Sequence, residues 1–171
     1  LAFYAARYGA YPYKKLWVVQ VGLPQLFAGV GPASMVWLNG VHLDKDEVPA
    51  TVLAHELAHQ WFGDLIAPRG WPELWLNESF ATYFELLCMQ ALEGDDDFAR
   101  RLMTVRDSYF TEVETRYARP IVTRRYAHPY VLFDRHAYEK GCLVLHTLRD
   151  QLGEAAFWAG VHAYVAHAGG R

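Results

Sequence analysis

Five residues, His55-Glu56-Leu57-Ala58-His59, have the types and spacing of a metal site. On a helix, positions i and i+4 share one face about one turn apart. Two imidazoles so placed can grip one ion from the same side. Zinc favours such nitrogens at about 2.0–2.1 Å and accepts carboxylate oxygen as well. Glu56, beside the first histidine, lies on an adjoining part of that surface. From there it reaches a water at the metal without ligating the metal. The metal would lower that water's pKa, and Glu56 would take its proton as it attacks a carbonyl. A catalytic zinc keeps three protein ligands and one open position, so a third ligand must come from elsewhere. Glu78 in Trp75-Leu76-Asn77-Glu78 is the candidate, because Pro68, Gly70 and Pro72 let a second helix fold back. A chance H-E-x-x-H in a chain of this length has odds of about 1% or less. The metal reading therefore outranks an amphipathic helix with two incidental histidines.

The elements that must position these residues can be read in order. Residues 2–10 form a short helix with Tyr4 and Tyr8 on one side, ended at Gly9. Residues 16–21 and 35–38 have strand composition, and 23–34 is a loop rich in glycine and proline. Asn39-Gly40 is a hairpin-like turn signal, with Val41-His42-Leu43 placed to pair back. Asp44 or Asp46 begins the first metal helix, with Pro49 in its first turn, and the helix runs to Phe62 and stops at Gly63. The second metal helix covers 73–92, with Trp75, Phe80, Tyr83, Phe84 and Leu87 as core rather than pocket. Asp95, Asp96 and Asp97 resemble a cation trap, but acids at a helix start have a simpler use: they cap it and complement its dipole. That helix extends to about residue 114. Residues 116–135, with Pro120 and Pro129, are irregular and wrap the cleft. Helices at 137–152 and 154–167 are separated by Gly153.

The chain has 171 residues, enough for one domain with a real core, and 53% of them are hydrophobic. A net charge of −3 gives no reason to expect nucleic acid or a membrane surface as partner. Residues 16–43 lack charged side chains, yet Gly22, Pro24, Gly29, Gly31 and Pro32 break the run, so no transmembrane segment is expected. Cys88 and Cys142 lack metal spacing and read as small buried thiols, with a disulfide still open. No leader is visible, and the compartment is not legible.

The stretch from His55 to Gly63, then eighteen residues between the second histidine and Glu78 in Trp75-Leu76-Asn77-Glu78-Ser79-Phe80-Ala81, resembles the M1 family of zinc aminopeptidases. These are gluzincins, whose third ligand is a glutamate. The resemblance extends to Tyr138-Glu139-Lys140-Gly141 and covers nearly the whole chain. It implies an α+β, mostly helical, thermolysin-like metallopeptidase catalytic domain with a small N-terminal β portion. Residues 1–43 would be a strand-rich edge and 44–171 the helical zinc-binding portion of an incomplete catalytic domain. Flanking domains of a longer protein are implied, β-rich before and helical after. His55, His59 and Glu78 would hold one zinc ion, Glu56 would be the base, and Tyr138 would stabilise the oxyanion. The substrate would be a peptide cut at its N-terminal residue.

The sequence departs from the family at one place. M1 aminopeptidases carry G-x-M-E-N on an edge strand, where the glutamate binds the substrate's free amine. Here Gly29, Val30 and Gly31 form the substrate edge, with Gly31 at the glutamate position and Pro32 at the asparagine position. Glycine offers no carboxylate to an ammonium. A peptidase without strict amine recognition, or a non-catalytic binding module, therefore stand as alternatives. A plain connecting loop at 28–34 stands beside the substrate-edge reading. Asp64 reads as a cap or loop residue, with orientation of a ligand histidine as its alternative. His128 and His136 read as surface or core residues, with approach to a substrate as the alternative, and His146, His162 and His167 need no ligand role.

Overall fold

The structure, a computed structural model, describes residues 1–24, 27–42 and 49–169. It is an α+β arrangement dominated by helices. The order is α1 (Ala2–Tyr8), β1 (Trp17–Val21), β2 (Gly29–Val30), β3 (Met35–Asn39), α2 (Ala50–His59), α3 (Trp75–Glu93), α4 (Asp95–Thr115), α5 (Gly141–Leu152) and α6 (Glu154–Ala168). No described helix is long and apolar enough to cross a membrane.

The sheet has the order β1-β3-β2, with β1 parallel and β2 antiparallel to β3. Two expectations fail here. The loop at 23–34 contains β2, pairing Gly29 with Leu38 and Val30 with Trp37. Asn39-Gly40 does not turn a hairpin; Gly40–His42 is a 3₁₀ turn, and Leu43 lies outside the described residues. Both edges of β3 are already paired. The Asn39 side chain is buried and ties down the preceding loop instead, donating to the carbonyls of Phe27 at 2.9 Å and Leu23 at 3.2 Å.

Helix α2 begins just after Pro49; Asp44 and Asp46, the expected starts, lie outside the described residues. It ends at His59, three residues earlier than expected. The chain then coils into a tight turn in which the Asp64 amide donates to the His59 carbonyl and the Gly63 amide to the Ile66 carbonyl. Gly63 has φ 132°, where a side chain would be strained. The three acids 95–97 all fall in the first turn of α4, but the capping residue is Gly94 and none of them caps through its side chain. Asp97 pairs with Arg100 and Arg101, so that basic pair is partly neutralised.

Helices α2 and α3 pack against each other over an aromatic core. Trp61, Phe62, Tyr83 and Phe84 are almost wholly buried, and Tyr4 and Tyr8 of α1 join them. The Tyr4 hydroxyl donates to the Ala54 carbonyl at 2.8 Å and so fixes α1 to the metal helix. Of the aromatic residues expected to be core on α3, Phe80, Tyr83 and Phe84 are buried and Trp75 is partly so. Both cysteines are free thiols; Cys142 is buried and Cys88 half-buried.

The segment 116–135 carries only a 3₁₀ turn, Pro129–Leu132. The following helix starts one residue early and differently from expectation. His136–Lys140 is a π-turn that runs into α5. This turn is clamped to α3, since the Ser79 hydroxyl donates to the Ala137 carbonyl at 2.6 Å. The approach is close enough that a Cβ on Gly141 would stand 1.7 Å from Ser79 Oγ and 2.5 Å from Ser79 Cβ. Gly141→Ala is expected to push α5 off α3 and to destabilise the fold by about 1–3 kcal/mol or more. Urea unfolding of the two proteins side by side measures this, and equal midpoints would contradict it.

Candidate metal and catalytic site

The two histidines sit one turn apart on α2 and Glu78 one turn into α3, so the packing of those helices brings all three together. Their ligand atoms lie within 4.8 Å of one another. Nε2 of His55 and Nε2 of His59 are each 3.4 Å from Glu78 Oε2. The other ring nitrogens are held from behind. His59 Nδ1 donates to the Phe62 carbonyl at 2.9 Å, and His55 Nδ1 meets Glu85 Oε2 at 3.3 Å. Those contacts orient both rings with their Nε2 atoms toward Glu78 Oε2.

Glu78 is 7% exposed, and its Oε2 is buried without a hydrogen-bond partner among the described residues. Such an atom is costly unless something binds it. Burial alone would lower the His55 pKa, but Glu78 and Glu85 outweigh that and lift it to about 10. Burial would likewise raise Glu78, but His59 and His55 hold it down to about 2. An ionised carboxylate facing two oriented imidazoles is a donor set that a zinc ion fits, with room for a fourth position.

Glu56 lines the same cavity as the two histidines and Glu78. It is buried, and β2 lies directly on it: a Cβ on Gly29 would stand 2.8 Å from Glu56 Cγ. Burial raises its carboxyl, against the pull of His59 and His55. A raised carboxyl is suited to taking and returning a proton near neutrality. Tyr138, from the π-turn, stacks on His55 with ring centroids 6.0 Å apart and planes 16° apart. Burial, then the charge of Glu78, keeps its phenol protonated and therefore a donor.

These residues share a cleft of two adjoining cavities. The smaller, about 320 Å³, is lined by Gly29, Val30 and Gly31 together with His59, Asp64 and Glu78. The larger, about 450 Å³, continues past Gly29 toward Thr51, Glu85, Arg135 and Glu139. His55, Glu56 and Tyr138 line both. Each site residue expected from the sequence thus lies on one cleft.

The sequence reading passed over three features. Glu85, behind His55, lies seven residues after Glu78 and so on the same face of α3; that spacing could have disclosed it. The Phe62 carbonyl behind His59 is backbone and left no signal. The third is the ion-pair network that seats Tyr138. Arg119 grips Asp134 through Nε and a second nitrogen, each at 2.7 Å. Asp134 Oδ1 accepts from the amides of His136 at 3.0 Å and Ala137 at 3.1 Å, which starts the π-turn. Burial would raise Asp134, yet Arg119 prevails and keeps it below its ordinary value. His136 is fully buried in this network, accepting from the Arg119 amide at 3.1 Å. Its role is structural, as one of its two readings had it. Glu112, Asp134 and His136 also form a second cluster of metal-binding type, but Arg119 already occupies both oxygens of Asp134.

Comparison with known proteins accords with this geometry. The description of the Peptidase family M1 domain matches residues 2–170. Aminopeptidase N of Streptomyces lividans is 36% identical, with 91% of this chain and 19% of that protein covered. Aminopeptidase Ey of Gallus gallus is also 36% identical, over 96% of this chain and 18% of its own length. Among solved structures, an M1 zinc metallopeptidase from Deinococcus radiodurans bound to a Tyr-Ser-Ala substrate superimposes with a TM-score of 0.78 at 31% identity, covering 99% of this chain and 35% of that one. Leukotriene A4 hydrolase from Saccharomyces cerevisiae gives 0.85 at 21% identity, covering 97% of this chain and 28% of that one, a likeness of fold alone. The chain spans about a fifth of the length of the curated relatives named here. On the extent of the family match and the identity to these relatives, the chain belongs to peptidase family M1.

Proposed function

We propose that this chain is the catalytic portion of a zinc-dependent peptidase that removes N-terminal residues from peptides. The observation that carries the reading is the convergence of His55 Nε2, His59 Nε2 and the buried Glu78 Oε2 within one cleft that also holds Glu56 and Tyr138. Zinc is the cofactor, held by His55, His59 and Glu78. When bound there it lowers the pKa of a water and polarises the scissile carbonyl.

The chain's own residues do the rest. Glu56 accepts the proton of the attacking water and returns it to the leaving amine. Tyr138 donates a hydrogen bond to the carbonyl oxygen as negative charge grows there. β2 has one edge on β3 and leaves the other open to an extended peptide, which can add as a strand. Tyr138→Phe removes the donor while keeping the ring on His55. It is expected to lower kcat about 10²- to 10³-fold, with KM changed little; steady-state kinetics on one peptide checks this, and an unaltered kcat would remove Tyr138 from the chemistry.

A second reading, a peptidase without a requirement for a free amine, is favoured by Gly31. Incubating the zinc-loaded full-length protein with a short peptide and following products by mass separates the two. Stepwise loss of single N-terminal residues is the expected result. Internal cuts would favour the second reading, and an intact peptide would leave only a binding module.

A further inference from the structure

A free peptide N-terminus carries an ammonium group. Drawing it from water into a cleft calls for a carboxylate partner. β2 has none to give. A Cβ on Gly31 would stand 2.7 Å from the Glu56 carbonyl oxygen and 3.2 Å from His59 Cβ, so a longer side chain there would force the strand away from the base. Among the described residues lining the cleft, Glu85 lies behind His55, and Glu112, Asp134 and Glu139 are each paired with an arginine; the remaining carboxylates, in the smaller cavity beside Gly31, are Glu56, Asp64 and Glu78. Glu56 faces the reacting water, and Glu78 faces the two imidazoles. Asp64 is left.

Its placement is set by Gln60, which is fully buried. Gln60 Nε2 has two hydrogens to share among the Met35 carbonyl at 3.0 Å, the Pro32 carbonyl at 3.1 Å and Asp64 Oδ2 at 3.2 Å. Gln60 Oε1 accepts from the Ser34 amide at 2.9 Å and the Tyr11 hydroxyl at 3.0 Å. One amide nitrogen therefore holds the Asp64 carboxylate beside the residue that follows Gly31. Asp64 Oδ1 has no hydrogen-bond partner among the described residues. Asp64 does not orient a ligand histidine, because His59 Nδ1 is taken by the Phe62 carbonyl.

We propose that Asp64 is the carboxylate that receives the substrate's ammonium group, so that the cleft selects peptides with a free N-terminus. The inference rests on the peptidase reading above. The charge reaches the cleft from the turn after α2 rather than from the strand. Glycine at 29, and at 31 just beyond the strand, then lets this segment lie flat on Glu56.

Asp64→Asn removes the carboxyl and keeps an acceptor for Gln60; burial lifts that carboxyl to about 7 against the pull of His59, so the comparison is made at about pH 8, where it is ionised. The test measures kcat and KM of the zinc-loaded full-length protein on an alanyl anilide and on its N-acetyl counterpart. The ratio of kcat/KM for free over blocked substrate is expected to fall about 10- to 100-fold in the variant, through KM. Asp64→Ser must give the same loss, and zinc content must stay at one per chain. An unchanged ratio overturns the proposal. Binding of alaninamide and N-acetylalaninamide by calorimetry tests it without turnover. The wild type should prefer the ammonium form by about tenfold or more, and the variants should not. A wild type without that preference, or a variant that keeps it, overturns the proposal. A wild type that prefers the ammonium form but cleaves neither anilide counts against the peptidase reading alone.

Discussion

Glu56→Gln is expected to lower kcat by about 10²- to 10⁴-fold with zinc still bound at one per chain. The amide has the shape of the carboxylate, so β2 can still lie on it through Gly29 and Gly31, with Cγ in the same place. What it lacks is a basic oxygen. Glu56 does not belong to the trio whose ligand atoms converge, and removing its charge should spare the metal. Zinc content and steady-state kinetics on one sample decide the matter. Full activity in the variant would mean that another group takes the proton. Loss of zinc together with activity would mean that Glu56 supports the site rather than the chemistry.

Glu78→Ala has the opposite signature. It removes the one oxygen that faces both imidazoles and leaves a two-ligand site. Altering a group behind a ligand commonly costs about 10- to 100-fold in metal affinity. Glu85→Gln, behind His55, should fall in that range. Removing Glu78 itself should exceed it, so that zinc is lost on dialysis and hydrolysis is lost with it. The metal-free variant should remain folded, because the core of Trp61, Phe62, Tyr83 and Phe84 lies off the cleft. Competition with a chelator measures the affinities, and circular dichroism checks the fold. Wild-type affinity in Glu78→Ala would place the third ligand elsewhere.

The fold was legible where a local pattern repeats. Helices α1, α3, α4, α5 and α6 were each placed within a few residues, because burial follows helical spacing and Gly9, Gly94 and Gly153 stop them with positive φ. The sheet was not. β2 is two residues long, too short for any periodicity, and β1 and β3 are parallel, an arrangement that no turn signal announces. The Asn39-Gly40 pair misled for a related reason. Its hairpin preference is local, whereas Asn39 is committed to the loop at 23–27 by tertiary hydrogen bonds. The π-turn under Tyr138 was also hidden, since it depends on Asp134 accepting two amides while Arg119 holds it from outside the turn.

By itself the sequence determined which groups are proposed to react. His55, Glu56 and His59 follow from a five-residue helical spacing, and Glu78 follows from a second helix that the break at 68–72 returns to the first. Spacing along a helix converts directly into position, so no long-range knowledge was needed for the first three. Only the tertiary structure decided what surrounds them. It set Glu85 and the Phe62 carbonyl behind the imidazoles, brought Glu78 Oε2 up to both Nε2 atoms, pressed two glycines onto Glu56, and held Asp64 beside the loop that follows β2. Each of these depends on contacts between elements far apart in sequence, or on a backbone carbonyl that any residue could supply. Side-chain identity fixes which chemistry is available, and packing fixes which atoms face it.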